Sequence, residues 1–328
     1  PMSEEDFGEC YFTVKERLNP QRPSHFEMLT IMAAYYFFEM EKVDYAVFEV
    51  GMGGTWDATN AIPHGVSVIA KLGFDHQHLL GNTIEEIASN KFGIIGDEGL
   101  VFSLPVSSDL NDLKSNKIKS TNCVWMEAPH FEWEVQKGLP PDYTAQTKWG
   151  ELKTSMLGER ALENLNLALL TFEGMGFKPE KRINALSQFE WTGRMSQLQS
   201  DEFQTPVYLS GDHNGQGIQS LISLLKNFEY ENLYFVAGVG KKKDLDEVLG
   251  PLFRFVDPKN IILTTASFMG RTKEELSPYV EKAATYVEKP IEALRASTER
   301  SSVEDLIVVT GSLYLVGDVL TQIQSGSV

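Results

Sequence analysis

The stretch Asp44-Tyr-Ala-Val-Phe-Glu-Val-Gly-Met-Gly-Gly-Thr-Trp-Asp-Ala-Thr-Asn60 is the part of the sequence that decides the fold class. Its apolar beginning predicts a buried strand over Asp44–Val50 that places Glu49 beside a glycine-rich loop. A carboxylate at the carboxyl end of a strand, followed by glycines that let backbone N–H groups approach a ligand, is typical of a phosphate or Mg²⁺ site in an open α/β sheet. Any doubly wound sheet can contain such a glycine turn, but a carboxylate after an apolar strand needs a cation or hydrogen-bond donors.

The rest of the chain alternates between predicted helices and strands. Helices are expected at 24–41 (capped by Ser24), 84–92 (capped by Thr83), 159–174 and 180–188, and strands at 66–72, near 101, 124 and 131, and at 206–210, 232–237, 260–265 and 306–310, with antiparallel hairpins over 143–157. The βαβ rhythm of the second half predicts a parallel sheet. We place a domain boundary near residue 190, which gives domains 1–189 and 190–328.

Composition and charge exclude several classes of protein. The chain has 328 residues, of which 42% are hydrophobic and 23% charged, enough for two domains with full cores. A net charge of −17 argues against nucleic acid or an anionic membrane as a partner. No apolar run reaches the roughly 20 residues of a membrane helix, and the acidic start is not a signal peptide. The two cysteines, Cys10 and Cys123, have no zinc or disulfide spacing, so we expect a reducing cytoplasm.

The opening stretch resembles the Glu-Val-Gly-x-Gly-Gly-x-x-Asp-x-Thr-Asn segment of the folylpolyglutamate synthase and dihydrofolate synthase family of Mur-type ligases. Those enzymes join glutamate to folates using ATP. The segment Leu72-Gly-Phe-Asp75-His76-Gln-His-Leu-Leu-Gly81 is similar to the family's Asp-His-x-x-x-Leu-Gly motif, whose histidine is a Mg²⁺ ligand. The resemblance therefore implies that Glu49 and His76 share one Mg²⁺ site, although Mg²⁺ prefers oxygen ligands.

A further match surrounds a lysine in Ile87-Ala-Ser-Asn-Lys91-Phe-Gly-Ile94. The family has Ile-Ala-x-Glu-Lys-Ala-Gly-Ile here, and its lysine is often carbamylated. The resemblance implies catalytic roles for Lys91 and His76, with carbamylation of Lys91. Asn90 and Phe92 replace the family's glutamate and alanine. The simpler reading of Lys91 is a side chain whose stem covers the core while its amine reaches water.

Two motifs imply contacts with the nucleotide from the second half of the chain. Asn164, in Gly158-Glu-Arg-Ala-Leu-Glu-Asn164, matches the helix that the family uses near ATP. Trp191-Thr-Gly-Arg194-Met resembles the family's Trp-Pro-Gly-Arg-Leu, whose arginine binds ATP phosphate, and a guanidinium suits phosphate well.

The segment Leu209-Ser210-Gly-Asp212-His213-Asn214-Gly215 resembles the family's Asp-Gly-Ala-His-Asn-Pro, whose aspartate and histidine reach the nucleotide. His213 matches directly, whereas Ser210 stands at the aspartate position and Asp212 at the alanine position. The resemblance assigns ATP binding to Asp212 and His213. The same residues also read as a capped entry to a helix at 215–227.

The resemblance implies an α/β fold with an incomplete P-loop-like Mur ligase central domain and a Rossmann-like C-terminal domain. It implies an ATP-dependent ligase that adds L-glutamate to folate or dihydropteroate through an acyl phosphate, with ATP and Mg²⁺ as cofactors and K⁺ as a further cation. A monomer is expected. ATP must contact both domains in this family. We therefore expect one common cleft to be faced by Glu49, His76, Lys91, Arg194, Asp212 and His213.

One part of the family pattern is missing, because the sequence contains no Gly-x-x-x-x-Gly-Lys-Ser/Thr. We interpret the chain as a fragment that begins after the P-loop rather than a homologue that lost nucleotide hydrolysis, and expect it to have little ligase activity by itself. Two alternatives stay open: another Mur-type ligase that adds a different amino acid, and a catalytically inactive protein that binds a folate or nucleotide.

Overall fold

The protein is described by a computed structural model over residues 2–74, 77–282 and 285–326. Contacts divide it into two compact units, the first made of Pro1–Pro129 and Leu167–Gly174 and the second of His130–Asn166 and Met175–Val328. The boundary that we expected near residue 190 lies inside the second unit, and the division into functional domains at that point stays a prediction.

Unit 1 contains a small parallel sheet and the helices that pack with it. Its strands are β1 (Val66–Ile69), β2 (Leu100–Ser103) and β3 (Val124–Glu127), and its helices are α1 (Glu4–Leu18), α2 (His25–Tyr35), α3 (Gln77–Leu80), α4 (Ile84–Lys91), α5 (Asn111–Thr121) and the second half of α6 (Glu159–Gly174). The sheet order is β1-β2-β3, with both pairs parallel. Parallel pairing buries the central strand, and the side chains of Val101 and Phe102 in β2 are fully buried.

The predicted helix starts of unit 1 are confirmed. Ser24 and Thr83 each accept a hydrogen bond from the backbone N–H three residues on, and Glu27 and Glu86 each accept one from the corresponding cap backbone. Each pair forms a capping box, which satisfies two N–H groups that the helix itself cannot bond. Helix α2 is followed by a single π-helical turn at Tyr36–Met40.

The strand predicted over Asp44–Val50 is wrong. Among the described residues, none pairs with this stretch in a ladder, and the Val47 side chain is 92% exposed. Phe48 packs against the rings of Phe37 and Phe38, at centroid distances of 5.7 and 6.2 Å, and so holds the stretch to the end of the preceding helix. A run of apolar residues indicates a preference for burial. A strand also requires a neighbouring strand, and that pairing depends on the tertiary structure.

Unit 2 is built on a six-stranded sheet with an antiparallel three-stranded sheet. The small sheet holds β4 (Trp133–Gln136), β5 (Asp142–Thr147) and β6 (Gly150–Thr154); the large sheet holds β7 (Arg194–Gln197), β8 (Val207–Ser210), β9 (Leu233–Ala237), β10 (Ile261–Leu263), β11 (Thr285–Tyr286) and β12 (Leu306–Thr310). The helices are the first half of α6, α7 (Gly215–Leu225), α8 (Leu245–Phe255), α9 (Ser277–Val280), α10 (Pro290–Thr298) and α11 (Leu313–Gly326).

The large sheet has the order β11-β10-β9-β12-β8-β7 and is parallel except for β7. All four strands predicted for the second half are therefore confirmed, as is the hairpin region near 143–157. Every residue of β12 is buried, because helices cover both faces of a central parallel strand. The helix predicted over 180–188 is instead two short 3-10 segments, Pro179–Lys181 and Ile183–Gln188.

In the described part of the chain, no helix is both long enough and apolar enough to cross a bilayer.

Asp305 fixes the starts of two neighbouring strands of the large sheet. Its carboxylate accepts hydrogen bonds from the backbone N–H and side-chain amide of Asn232, at 2.8 and 2.9 Å, and from the backbone N–H of Ser302 at 2.8 Å. Burial opposes the charge, but the hydrogen bonds outweigh it and lower the pKa of the Asp305 carboxyl. The loops that lead into β9 and β12 are thereby joined through one buried carboxylate.

We predict that Asp305→Ala lowers the free energy of unfolding by about 1–3 kcal/mol at pH 7, because several partly buried donors lose their acceptor. Since the folded pKa is lowered, this contribution is present above the unfolded value of about 3.9 and is lost as pH falls through the folded value. Urea unfolding from pH 7 to pH 3 measures it. Glu304→Ala is the control, because Glu304 is the exposed residue next to Asp305. If both variants lose the same free energy of unfolding, the prediction is wrong.

Candidate active site

The glycine-rich loop of unit 1 packs directly on the end of α4. The backbone N–H and the hydroxyl of Thr55 both donate to the Asn90 carbonyl, at 3.0 and 2.9 Å. A Cβ at Gly54 would lie 2.8 Å from that oxygen and 2.9 Å from the Lys91 carbonyl. Gly53 has φ +71°, a conformation that favours glycine. These two glycines are therefore required for close packing and for the turn, before any contact with a ligand.

The Asp-x-Thr-Asn part of the same motif braces the loop. The Asp57 carboxylate accepts from the Met52 N–H at 2.9 Å, and from the Thr59 N–H and hydroxyl at 3.0 and 2.6 Å. The Asn60 amide donates to the carbonyls of Thr55 and Gly93, each at 3.3 Å. The motif thus has a structural role that the sequence analysis did not assign to it.

The predicted site residues of unit 1 are only partly placed. Glu49 is exposed and precedes the glycine-rich loop, and Lys91 is the last residue of α4, partly buried. Asp75 and His76 lie outside the described residues, so the shared Mg²⁺ site of Glu49 and His76 stays a prediction. Within the described ranges, no three His, Cys, Asp or Glu side chains group closely enough to hold a metal ion.

In unit 2, a turn and a β-bulge set the position of Arg194. Gly193 has φ +78°, its carbonyl accepts the Gly211 N–H at 2.7 Å, and its own N–H donates to the Ser196 hydroxyl at 2.9 Å. Arg194 then pairs with Ser210 across β7 and β8, with a register shift before Ser196. Bulges of this kind re-aim side chains. The arginine therefore lies opposite the carboxyl end of β8, and its side chain is exposed.

Asp212 follows β8 and is held from two sides. Its carboxylate accepts the Ser210 hydroxyl at 2.7 Å, and its backbone carbonyl accepts the Gly311 N–H at 2.9 Å. Burial raises the pKa of the Asp212 carboxyl, whereas the Ser210 hydrogen bond and the charges of Arg160, Arg194 and His213 act in the opposite direction. The Ser210 that replaces the family's aspartate is thus bonded to the aspartate two residues later.

His213 and the residue after it complete the entry to α7. The Nδ1 atom of His213 lies 2.9 Å from the Gly211 carbonyl, which can only accept, so this nitrogen carries the proton. In the neutral ring Nε2 is then an acceptor. The Asn214 side chain accepts the Gly217 N–H at 2.8 Å and caps the helix, so the capped-helix interpretation is confirmed.

The sequence analysis missed Arg160 as a site residue. It lies in the first turn of α6, one turn before Asn164, so the two side chains project from the same side of the helix. The Nη2 atom of Arg160 is buried and has no hydrogen-bond partner, while its charge acts on Asp212. The arginine was present in the quoted segment, but its helix also carries glutamates and asparagines, so sequence alone gave no signal that set it apart.

Arg160, Arg194, Asp212 and His213 therefore form one cluster at the carboxyl edge of the large sheet, with Asn164 beside Arg160 on α6. This edge is where ligands bind in open α/β sheets. Glu49 and Lys91 belong to unit 1, and the expected cleft that would join all these residues stays a prediction.

Comparison with known proteins agrees with the fold and the motifs. Residues 194–322 match the family model "Dihydrofolate synthetase, C-terminal domain". A dihydrofolate synthase/folylpolyglutamate synthase of Bacillus subtilis is 26% identical over 316 residues, covering 91% of this chain and 72% of the relative. A folylpolyglutamate synthase structure from Thermotoga maritima has a TM-score of 0.81 at 28% identity, covering 99% of this chain and 77% of that one. The chain is therefore similar to folylpolyglutamate synthases and dihydrofolate synthases over most of its length.

The fold is that of the Mur-type ligases to which this family belongs. A folylpolyglutamate synthase from Mycobacterium tuberculosis, solved with ADP and AMPPCP, has a TM-score of 0.82 at 24% identity, covering 98% of this chain and 80% of that one. The α/β architecture expected from the sequence is confirmed.

We predict that Gly54→Ala lowers the free energy of unfolding of unit 1 by about 1–3 kcal/mol, because its Cβ would meet two backbone carbonyls that cannot turn away. Gly65→Ala is the matched control, since a Cβ there meets nothing within 4 Å. Its effect should stay within about 0.5 kcal/mol. Chemical denaturation of both variants measures this, and a neutral Gly54→Ala would show that the loop can move away from α4.

We also predict that Asp212→Asn makes the protein more stable at pH 7. Because the folded pKa is raised, ionisation of Asp212 costs stability above that pKa, and the cost disappears as pH falls below the unfolded value of about 3.9. An amide oxygen can still accept the Ser210 hydroxyl. Urea midpoints at pH 7 and pH 3 measure the effect, with Asp201→Asn at an exposed turn as the control. A loss of stability at pH 7 would mean that the cationic neighbours stabilise the charged form.

Proposed function

We propose that the function of this protein is ATP-dependent ligation of L-glutamate to a folate or dihydropteroate. The observation that carries this proposal is the cluster of Arg160, Arg194, Asp212 and His213 at the carboxyl edge of a parallel sheet, in a chain that is similar to ligases of this family. In the reaction, the γ-phosphoryl group of ATP moves to a substrate carboxylate and ADP leaves. The glutamate amine then attacks the acyl carbon, forms the amide and releases phosphate.

The two arginines suit the phosphates of ATP. Arg160 has a buried Nη2 without a hydrogen-bond partner, and Arg194 presents an exposed guanidinium from the bulge at the start of β7. A guanidinium donates in a fixed planar fork that matches phosphate oxygens. In a chain with a net charge of −17, such local cations must attract the nucleotide.

Asp212 and His213 suit the nucleoside rather than the phosphates. A carboxylate repels phosphate and accepts hydrogen bonds, so we assign Asp212 to hydroxyl or amino donors of the nucleoside. The Nδ1–H of His213 bonds the Gly211 carbonyl, which orients the ring and leaves Nε2 as an acceptor. Asn164, exposed on the same side of α6 as Arg160, supplies both a donor and an acceptor.

From unit 1 we propose Glu49 as an oxygen ligand of Mg²⁺, with His76 beside it. Glu49 fits this role because its carboxylate is exposed and because Mg²⁺ prefers oxygen. When bound, Mg²⁺ would neutralise charge on the transferring phosphoryl group. We propose Lys91 as a catalytic residue and its carbamylation as a modification, which intact-protein mass measurement in bicarbonate buffer can detect.

A ligation assay distinguishes this function from its rivals. The natural full-length protein would receive ATP, Mg²⁺ and either dihydropteroate or tetrahydrofolate, and ADP release should require L-glutamate. Turnover with another amino acid instead of glutamate would favour a different Mur-type ligase. Tight ADP binding without turnover under any of these conditions would favour an inactive binding protein.

We predict that Arg194→Ala in the active protein lowers kcat/KM for ATP at least tenfold, about 1.4 kcal/mol, because a charged contact to phosphate is lost. Its free energy of unfolding should change by no more than about 0.5 kcal/mol, since the side chain is exposed. Arg300→Ala is the control, as this exposed arginine precedes β12 at the opposite edge of the sheet. Unchanged ATP kinetics in the Arg194 variant would remove this residue from the nucleotide site.

A further inference from the structure

The loop before β1 carries a histidine whose two ring nitrogens both meet backbone carbonyls. The Nδ1 atom of His64 lies 2.8 Å from the Ile62 carbonyl oxygen, and its Nε2 atom lies 2.7 Å from the Ile94 carbonyl oxygen. The first contact is local, whereas the second reaches the 3-10 turn Phe92–Ile94 at the end of α4. One imidazole ring therefore connects the loop to a turn that lies 30 residues later in the chain.

These two contacts require the protonated form of the ring. A carbonyl oxygen only accepts hydrogen bonds, so both nitrogens must donate, and only the doubly protonated imidazolium has two N–H donors. Both distances lie in the range of charge-assisted N–H···O bonds, about 2.7–2.9 Å. In the neutral ring, one nitrogen has a lone pair that would face a carbonyl oxygen. Loss of the second ring proton therefore breaks one of the two contacts, whichever tautomer forms.

The turn that His64 contacts begins directly after Lys91 and supports the glycine-rich loop. The Gly93 carbonyl of the turn accepts the Asn60 side-chain amide at 3.3 Å. A Cβ at Gly93 would overlap the side chain of Thr55, so the turn and the loop are in direct contact. The imidazole contact therefore helps to fix the backbone next to Lys91 as well as one side of the loop.

The charged groups on the neighbouring segments are mainly acidic. A Cβ at Gly96 would lie 3.7 Å from the His64 carbonyl, so the segment that follows the turn packs against this loop. The charged side chains on the turn and on that segment are Lys91, Asp97 and Glu98, and the loop itself has none between Asp57 and Lys71. Carboxylates stabilise an imidazolium and an ammonium group opposes it. Both carboxylates are exposed, so salt screens their effect and the two hydrogen bonds remain the main determinant.

We propose that His64 is a pH-sensitive clamp whose protonated ring joins the loop before β1 to the turn after Lys91, and that loss of one ring proton releases the turn. The clamp is complete at acidic pH and opens as pH rises through the range of about 5 to 8, in which histidine changes charge. The inference goes beyond the proposed ligase function and does not rest on it, because it concerns contacts within unit 1 alone.

Amide hydrogen exchange of the 328-residue chain at pH 5.5 and pH 8.5 measures the clamp. The reporters are the N–H of Thr55, which bonds the Asn90 carbonyl, and the N–H of Ile95, which bonds the Phe92 carbonyl. Their protection, corrected for the intrinsic effect of pH on exchange, should fall about threefold or more at pH 8.5, because a hydrogen bond from a charged ring is lost. In His64→Gln the protection should be the same at both pH values, since glutamine does not titrate.

A second histidine provides the matched control. His130→Gln replaces an exposed histidine of unit 2 and should leave the fall in protection unchanged. Urea midpoints verify that both variants fold, which is expected because both side chains are exposed. A fall in protection that persists in His64→Gln would show that another group titrates, and the inference would be wrong. Protection that does not change with pH in the natural sequence would have the same meaning.

The ring protons give a measurement on the natural sequence itself. At pH 5.5 both ring N–H protons of His64 should be visible by NMR, because hydrogen-bonded N–H groups exchange slowly with water, and at pH 8.5 at most one should remain. His64→Gln identifies these signals by their loss. The absence of both N–H signals at pH 5.5 would overturn the inference. Ligase assays are not part of this test, so its failure is distinct from a failure of the proposed function.

Discussion

Backbone hydrogen bonds join three loops at the carboxyl ends of β8, β12 and β9, and the candidate nucleotide site depends on them. The Gly311 N–H and the Thr310 hydroxyl donate to the Asp212 carbonyl, at 2.9 and 3.3 Å, and the Gly238 N–H donates to the Thr310 carbonyl at 3.1 Å. Gly311 has φ +99°, and a Cβ there would lie 2.5 Å from the Gly238 carbonyl. No side chain fits at Gly311, so the backbones of the loops approach each other directly at this residue.

These hydrogen bonds fix the backbone position of Asp212 in the candidate site. Asp212 is held by its carbonyl, so its partly buried carboxylate stays beside Ser210 and near two arginines, although burial raises its pKa. A partly buried carboxylate near cations is a combination that structural ion pairs also use. The Nη2 atom of Arg160 nevertheless stays buried without a hydrogen-bond partner, so the cluster does not satisfy all of its own polar atoms.

In unit 1, the residues of the glycine-rich motif have structural roles. Its glycine-rich motif looks like a ligand cradle in sequence, yet Gly53 and Gly54 are needed for contact with α4, and Asp57 and Asn60 brace the same loop. The motif therefore forms a braced loop that begins just after Glu49 and packs against the end of α4, where Lys91 lies. Rigid support of this kind is what a site needs to hold reacting groups in position.

Local patterns predicted most of the secondary structure because they act over a few residues. The capping boxes at Ser24 and Thr83 and the four apolar strands of the second half follow from spacing alone. The stretch Asp44–Val50 was mispredicted because a strand needs a partner that the sequence pattern does not reveal. The segment 180–188 was mispredicted because helical spacing does not distinguish an α-helix from short 3-10 turns.

The sequence by itself indicated the resemblance to this ligase family and the α/β class, because motifs record residue types in order. The roles of Arg194, Asp212 and His213 at a nucleotide stay predictions. Only the tertiary structure showed that Arg160 acts on Asp212 and that both ring nitrogens of His64 meet backbone carbonyls. Burial and pairing depend on residues distant in the chain, such as His64 in a loop and the turn that ends α4. Their chemistry is visible in the sequence, but whether it is satisfied depends on what packs around them.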